Sequence, residues 1–153
     1  MTVAAPAALM PTLVLLGVLG LATAFDLRSH RVPAWLTAGS IVGALAGAAL
    51  AGPDRLQQSV IGALAGGLVF LPFTLRGWLG GADALLLAAA GAWHGWHFAL
   101  WTAWWASLVG AALALCLWYR HRHDPAARRR PFPYVPAILA GAIVTLLTHL
   151  PLT

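Results

Sequence analysis

The chain has 153 residues, is 61% hydrophobic and only 8% charged, and carries a net charge of +5 with mean hydropathy +0.82. A soluble domain is nearer a quarter charged, and one of this size has too little interior to hide so much apolar surface. A water-soluble globular protein is therefore excluded, and the composition points to an all-α membrane protein, a single domain over 1–153 with room for about six spans of about 20 residues.

In chain order, the first apolar run covers about 5–25 and holds Pro6 and Pro11 in its opening turns. Ala22-Thr23-Ala24 resembles a small-residue cleavage site, but no basic residue precedes the run and Arg28 follows it, the reverse of a secretory signal. We read a retained span with the N-terminus outside. The second run, about 34–52, is introduced by Pro33, which suits a first helical turn. The third covers about 57–75, the fourth about 82–95, the fifth about 97–119, and the sixth about 133–151, opened by Pro133 and Pro136. The fourth is short for a full crossing.

All nine basic residues are Arg; Lys and Glu are absent. Arg28 and Arg31 fall in the first loop, Arg76 in the third, and Arg120, Arg122, Arg128, Arg129 and Arg130 in the fifth, leaving only Arg55 for the other side. The positive-inside rule then puts loops one, three and five in the cytoplasm and both termini outside. This distribution reads as orientation and contact with anionic lipids, not as nucleic-acid binding. Gly39, Gly43 and Gly47 in the second run, and Gly62 and Gly66 in the third, repeat every four residues. Such faces let helices approach closely in lipid, within one bundle first and between copies in a homo-oligomer second.

Cys116, the only cysteine, lies in an apolar run, so the chain has no internal disulfide and no multi-cysteine zinc site. His94 and His97 are spaced for one helix face, yet two ligands do not make a metal centre. We therefore expect interfacial histidines and no metal. Trp93, Trp96, Trp101, Trp104 and Trp105 cluster where spans four and five meet the outer interface, where aromatic belts form.

The acidic residues number four, all Asp. Asp54 beside Pro53, and Asp124 before Pro125, read as loop or turn residues. Asp26 and Asp83 each stand where an apolar run meets a cytoplasmic loop, on one face by the Arg count. Ionisable groups so near the bilayer core are functional candidates. Two carboxylates brought together would share a proton, one activating water while the other polarises a scissile carbonyl. The plain alternatives are that Asp83 caps a helix and that Asp26 pairs with Arg28 or Arg31.

Three segments, FDLRSHRVPAWLT (25–37), LGGADALLLAAAGAW (79–93) and RRPFPYVPAILAG (129–141), resemble the type IV prepilin peptidase family, integral-membrane aspartyl peptidases of the GxGD kind. The resemblance spans almost the whole chain and maps the family's catalytic pair onto Asp26 and Asp83, with Gly80, Gly81, Ala82, Arg28 and Pro33 shaping the site. It departs at Ala82, where the family has Gly, at Leu85, where it has Lys, and at Ala34, where it has Asn. It implies a multi-pass protein of the prokaryotic cytoplasmic membrane that needs no cofactor and cuts the leader from a prepilin or pseudopilin helix on the cytoplasmic side. The family's N-terminal domain with paired cysteines has no counterpart in these residues, which implies a minimal peptidase without N-methyltransferase activity. The faces of spans two and three would receive the substrate helix. Two other readings stand beside this one: a catalytically silent relative that binds prepilins, and a small proton-coupled transporter using the same two aspartates.

Overall fold

The computed structural model describes residues 6–120 and 134–149, whose regular structure is entirely helical. Six helices follow in order: α1 Pro6–Ser29, α2 Ala34–Ala51, α3 Pro53–Leu75, α4 Gly81–His94, α5 Trp96–Arg120 and α6 Val135–His149. The protein is a polytopic membrane helical bundle. Residues Leu9–Ser29 of α1, and α2, α3 and α5, are long and apolar enough to cross a bilayer, and α6 is a shorter apolar helix. Large apolar side chains such as Leu50 and Leu75 point outward, 91% and 78% exposed, as lipid solvation permits.

The expected runs and the helices differ at two places. Helix α1 continues a turn beyond residue 25, so Asp26 lies within the helix rather than after it. Helix α3 begins at Pro53, which puts Asp54 in its first turn instead of a loop. Proline costs no hydrogen bond there, because the first amides of a helix have no carbonyl to reach. The whole α2–α3 connection is then Gly52, which ends one helix and starts the next at φ +123°, a conformation that side-chain-bearing residues rarely adopt. The limits expected for the sixth span, as well as Asp124, Arg122, Arg128, Arg129 and Arg130, lie outside the described residues.

Helix α4 is the hub. It has 14 residues, about 21 Å of rise against a hydrocarbon core of about 30 Å. Its length suffices because it is enclosed: every other helix packs on it, and Leu86 through Ala92 are all buried. Enclosure this close needs small side chains. A Cβ on Gly62 of α3 would run into the backbone of Gly91, and a Cβ on Gly91 into that of Gly62; Gly66 meets Leu87 in the same way. The small-residue face of α3 thus serves internal packing. Gly39 and Gly47 of α2 have nothing within 4 Å of a would-be Cβ, so of the two faces expected to receive the substrate helix only that of α2 is open there: the Gly62 and Gly66 face of α3 is already occupied by α4.

Few polar contacts pin the hub. Ser59 Oγ donates to the Ala92 carbonyl at 2.7 Å, and Trp93 Nε1 donates to Ser40 Oγ at 3.1 Å. Trp93 is therefore tied into the bundle between α4 and α2, whereas Trp96, Trp101 and Trp104 are exposed as a belt requires. Cys116 is exposed on α5.

Candidate active site

Asp26 continues the buried stripe of α1. Leu15, Leu19, Ala22 and Asp26 follow one another at steps of three and four, the helical spacing of a single face, and all four are buried. Register alone therefore turns the carboxyl inward, leaving it 8% exposed. Its Oδ2 accepts the backbone amide of Val135, the first residue of α6, at 3.2 Å. Arg28 is exposed, and Asp26 makes no ion pair with Arg28 or Arg31.

Asp83 reaches the same place from the start of α4. It sits at the third helical position, 6% exposed, and its Oδ2 accepts the amide of Gly80 at 3.0 Å. That is the backward half of a capping box. Capping and site lining are compatible here, because a carboxylate that spends one oxygen on the N-cap amide has another to offer. The turn before α4 is tight: Gly77 adopts φ +72°, and the amides of Trp78 and Leu79 both point to the Phe73 carbonyl. The Arg76 guanidinium lies 5.8 Å from the centre of the Trp78 ring.

The two carboxyls line one cavity of about 350 Å³. Asp26, His30 and Val32 line it from the end of α1; Gly77, Trp78, Leu79, Gly80, Ala82 and Asp83 from the α3–α4 turn; Tyr134 and Val135 from the start of α6. Of the residues singled out in the sequence, Asp26, Asp83, Gly80 and Ala82 are brought together. Gly81, Arg28 and Pro33 do not line the cavity. Pro33 instead is the N-cap of α2, its carbonyl accepting the Leu36 amide.

Among the lining residues that were not anticipated are His30 and Tyr134. His30 ends α1 in the left-handed region at φ +51°, with its amide on the Asp26 carbonyl at 2.9 Å. Histidine is among the residues enriched in that conformation, so its place just past a helix end was a usable signal. Tyr134 packs edge-on to Phe70 of α3 with ring centres 5.8 Å apart, bonds Ser107 of α5 through its hydroxyl, and lies so close to Gly110 that any side chain there would strike its ring. Nothing local to PFPYVP marks it, because its partners come from two other helices.

Residues 13–115 match the type IV leader peptidase family. The chain belongs to that family. It is 33% identical to a prepilin leader peptidase/N-methyltransferase of Aeromonas hydrophila over 154 residues, covering 96% of this chain and 52% of that protein. It is also 33% identical over 145 residues to the protein of the same name from Aeromonas salmonicida strain A449, covering 90% of this chain and 49% of the other. The chain thus spans about half the length of the curated relatives it matches. No solved structure matches it.

Elsewhere, the other sequence candidates have structural partners. His94 stands 3.5 Å from Thr12 Oγ1 and packs on Phe98, and His97 packs on Trp96. Among the described residues no group of three or more His, Cys, Asp or Glu is arranged to hold a metal ion.

Proposed function

We propose that this leader-peptidase family member is an aspartic endopeptidase that removes the leader from prepilin-like or pseudopilin substrates. The observation that carries the reading is the shared cavity: two buried aspartates, from helices far apart in sequence, face one space of about 350 Å³. One carboxylate takes a proton from water as the water attacks the scissile carbonyl carbon. The other, protonated, donates to the carbonyl oxygen. Collapse of the tetrahedral intermediate breaks the C–N bond, and the departing amine takes up a proton. The amides of Gly80 and Val135 each hold one carboxyl at its Oδ2, which fixes both groups before substrate arrives. In this reading Gly80 and Ala82 shape the floor beside Asp83.

Arg28, Arg31 and Arg76 lie at the end of the bundle that holds the cavity. By the positive-inside rule that end is cytoplasmic and both termini are outside, and membership of the leader peptidase family supports a bacterial cytoplasmic membrane as the location. Ala82, which lines the cavity where the family has Gly, supports the rival reading of a silent prepilin-binding relative. Co-expression with a prepilin in a host lacking its own leader peptidase separates them. Leader removal by the wild type, followed by mass spectrometry, and its loss in both Asp26→Asn and Asp83→Asn supports the peptidase. Cleavage that persists in either variant refutes the paired-acid reading, and co-purification of uncut prepilin with the wild type favours the silent relative.

A further inference from the structure

The opposite end of the bundle holds a second cavity, of about 490 Å³, larger than the one between the aspartates. Its volume lies within the range of about 300–1,000 Å³ usual for small-molecule sites. Val14 of α1 and Ala44, Gly47 and Ala48 of α2 line one side, and Arg55 and Gln58 near the start of α3 supply polar groups. Arg55 is the only charged side chain among the described lining residues, and it makes no ion pair with a described residue. It is also the one Arg assigned to its side of the bilayer in the sequence, against the trend of the other eight.

The layout matches an amphiphile. The guanidinium stands at a helix end, where a headgroup would lie. From there the α2 wall runs inward through Ala48 to Ala44, about 10 Å counted from the helix end at Ala51. That wall is unfilled: a Cβ at Gly47 would meet nothing within 4 Å. A guanidinium pairs with phosphate oxygens through two parallel N–H donors, and an unpartnered one near a low-dielectric wall gains most from doing so.

We propose that this cavity binds an anionic phospholipid, its phosphate on Arg55 and one acyl chain along the small-residue wall of α2. The site stands apart from the aspartates, so it is independent of the peptidase reading. The test uses the purified full chain in detergent, exchanged with phosphatidylglycerol or phosphatidylcholine, with bound lipid counted by native mass spectrometry. Phosphatidylglycerol is retained about tenfold better than phosphatidylcholine, whose own trimethylammonium offsets the phosphate charge and repels the guanidinium. Arg55→Gln brings the two to parity, Gly47→Leu lowers retention of both by filling the wall, and millimolar inorganic phosphate displaces neither. Equal retention of the two lipids by the wild type, or an undiminished preference in Arg55→Gln, overturns the proposal. Displacement of phosphatidylglycerol by free phosphate overturns it too, and makes the site one for the ion.

Discussion

Gly62→Ala adds a single methyl group at the tightest helix crossing in the protein. Built on the backbone, that Cβ would lie 2.7 Å from the carbonyl carbon of Gly91 and 2.9 Å from that of Gly95. Carbon atoms pack best at about 3.5–4.0 Å, so α3 and α4 must part by roughly an ångström. The obstacle is backbone, not the end of a flexible side chain, so no rotamer change relieves it. Overpacking costs about 1–3 kcal/mol, and this site belongs at the upper end. Replacing Gly by Ala within a helix returns about 0.8–1.0 kcal/mol of propensity, which leaves a net loss of about 2 kcal/mol by difference. Gly39→Ala is the matched control, because its Cβ meets nothing and only the propensity gain remains. Reversible unfolding in mixed micelles, read by helical circular dichroism, should place the two variants on opposite sides of the wild type. Gly62→Ala as stable as wild type, or indistinguishable from Gly39→Ala, refutes the account of α4 as a hub held by backbone contact. Gly62→Ala combined with Gly91→Ala should cost less than the sum of the two, since both remove the same contact.

Other outcomes follow from single contacts. Ser59→Ala removes the hydroxyl bond to the Ala92 carbonyl and should cost about 0.6 kcal/mol in the same unfolding assay, the usual scale for hydrogen bonds between membrane helices. His30→Gly relieves the left-handed backbone and should stabilise by about 1 kcal/mol, whereas His30→Val should destabilise; matched melting curves decide the sign. Tyr134→Phe loses the bond to Ser107, and Gly110→Ala pushes the ring away from α5. Because the Val135 amide on Asp26 follows directly in the chain, both should lower kcat for leader cleavage with KM nearly unchanged, Gly110→Ala the more. A rise in KM alone would mean that Tyr134 serves substrate binding instead.

Helices announce themselves through composition. Apolar runs separated by Arg, Gly and Pro marked six elements, and their bounds held within a few residues wherever the chain is described. The exceptions are instructive: α1 runs past residue 25 and α3 begins at Pro53, because neither Asp nor Pro breaks a helix at its ends. The aspartates also stood out before any fold was known, since a charge beside a lipid-spanning run has few reasons to be there. Which face of α1 is buried was not legible, because that run is apolar all round; the three-and-four spacing that carries Asp26 inward shows only once the bundle buries Leu15, Leu19 and Ala22.

What the sequence determined by itself is therefore an all-helical membrane chain with two conspicuous acids, since hydropathy and charge act residue by residue. Which segments surround those acids was decided only by tertiary structure. The amide of Val135, the ring of Tyr134 and the place of His30 depend on how α6 and the end of α1 dock, contacts between residues remote in sequence. Glycine shows the same division. Gly39, Gly47, Gly62 and Gly66 form similar patterns in the chain, yet Gly62 and Gly66 meet backbone on α4 while Gly39 and Gly47 meet none. A repeat of small residues states that close approach is permitted; only the packed bundle supplies the neighbour.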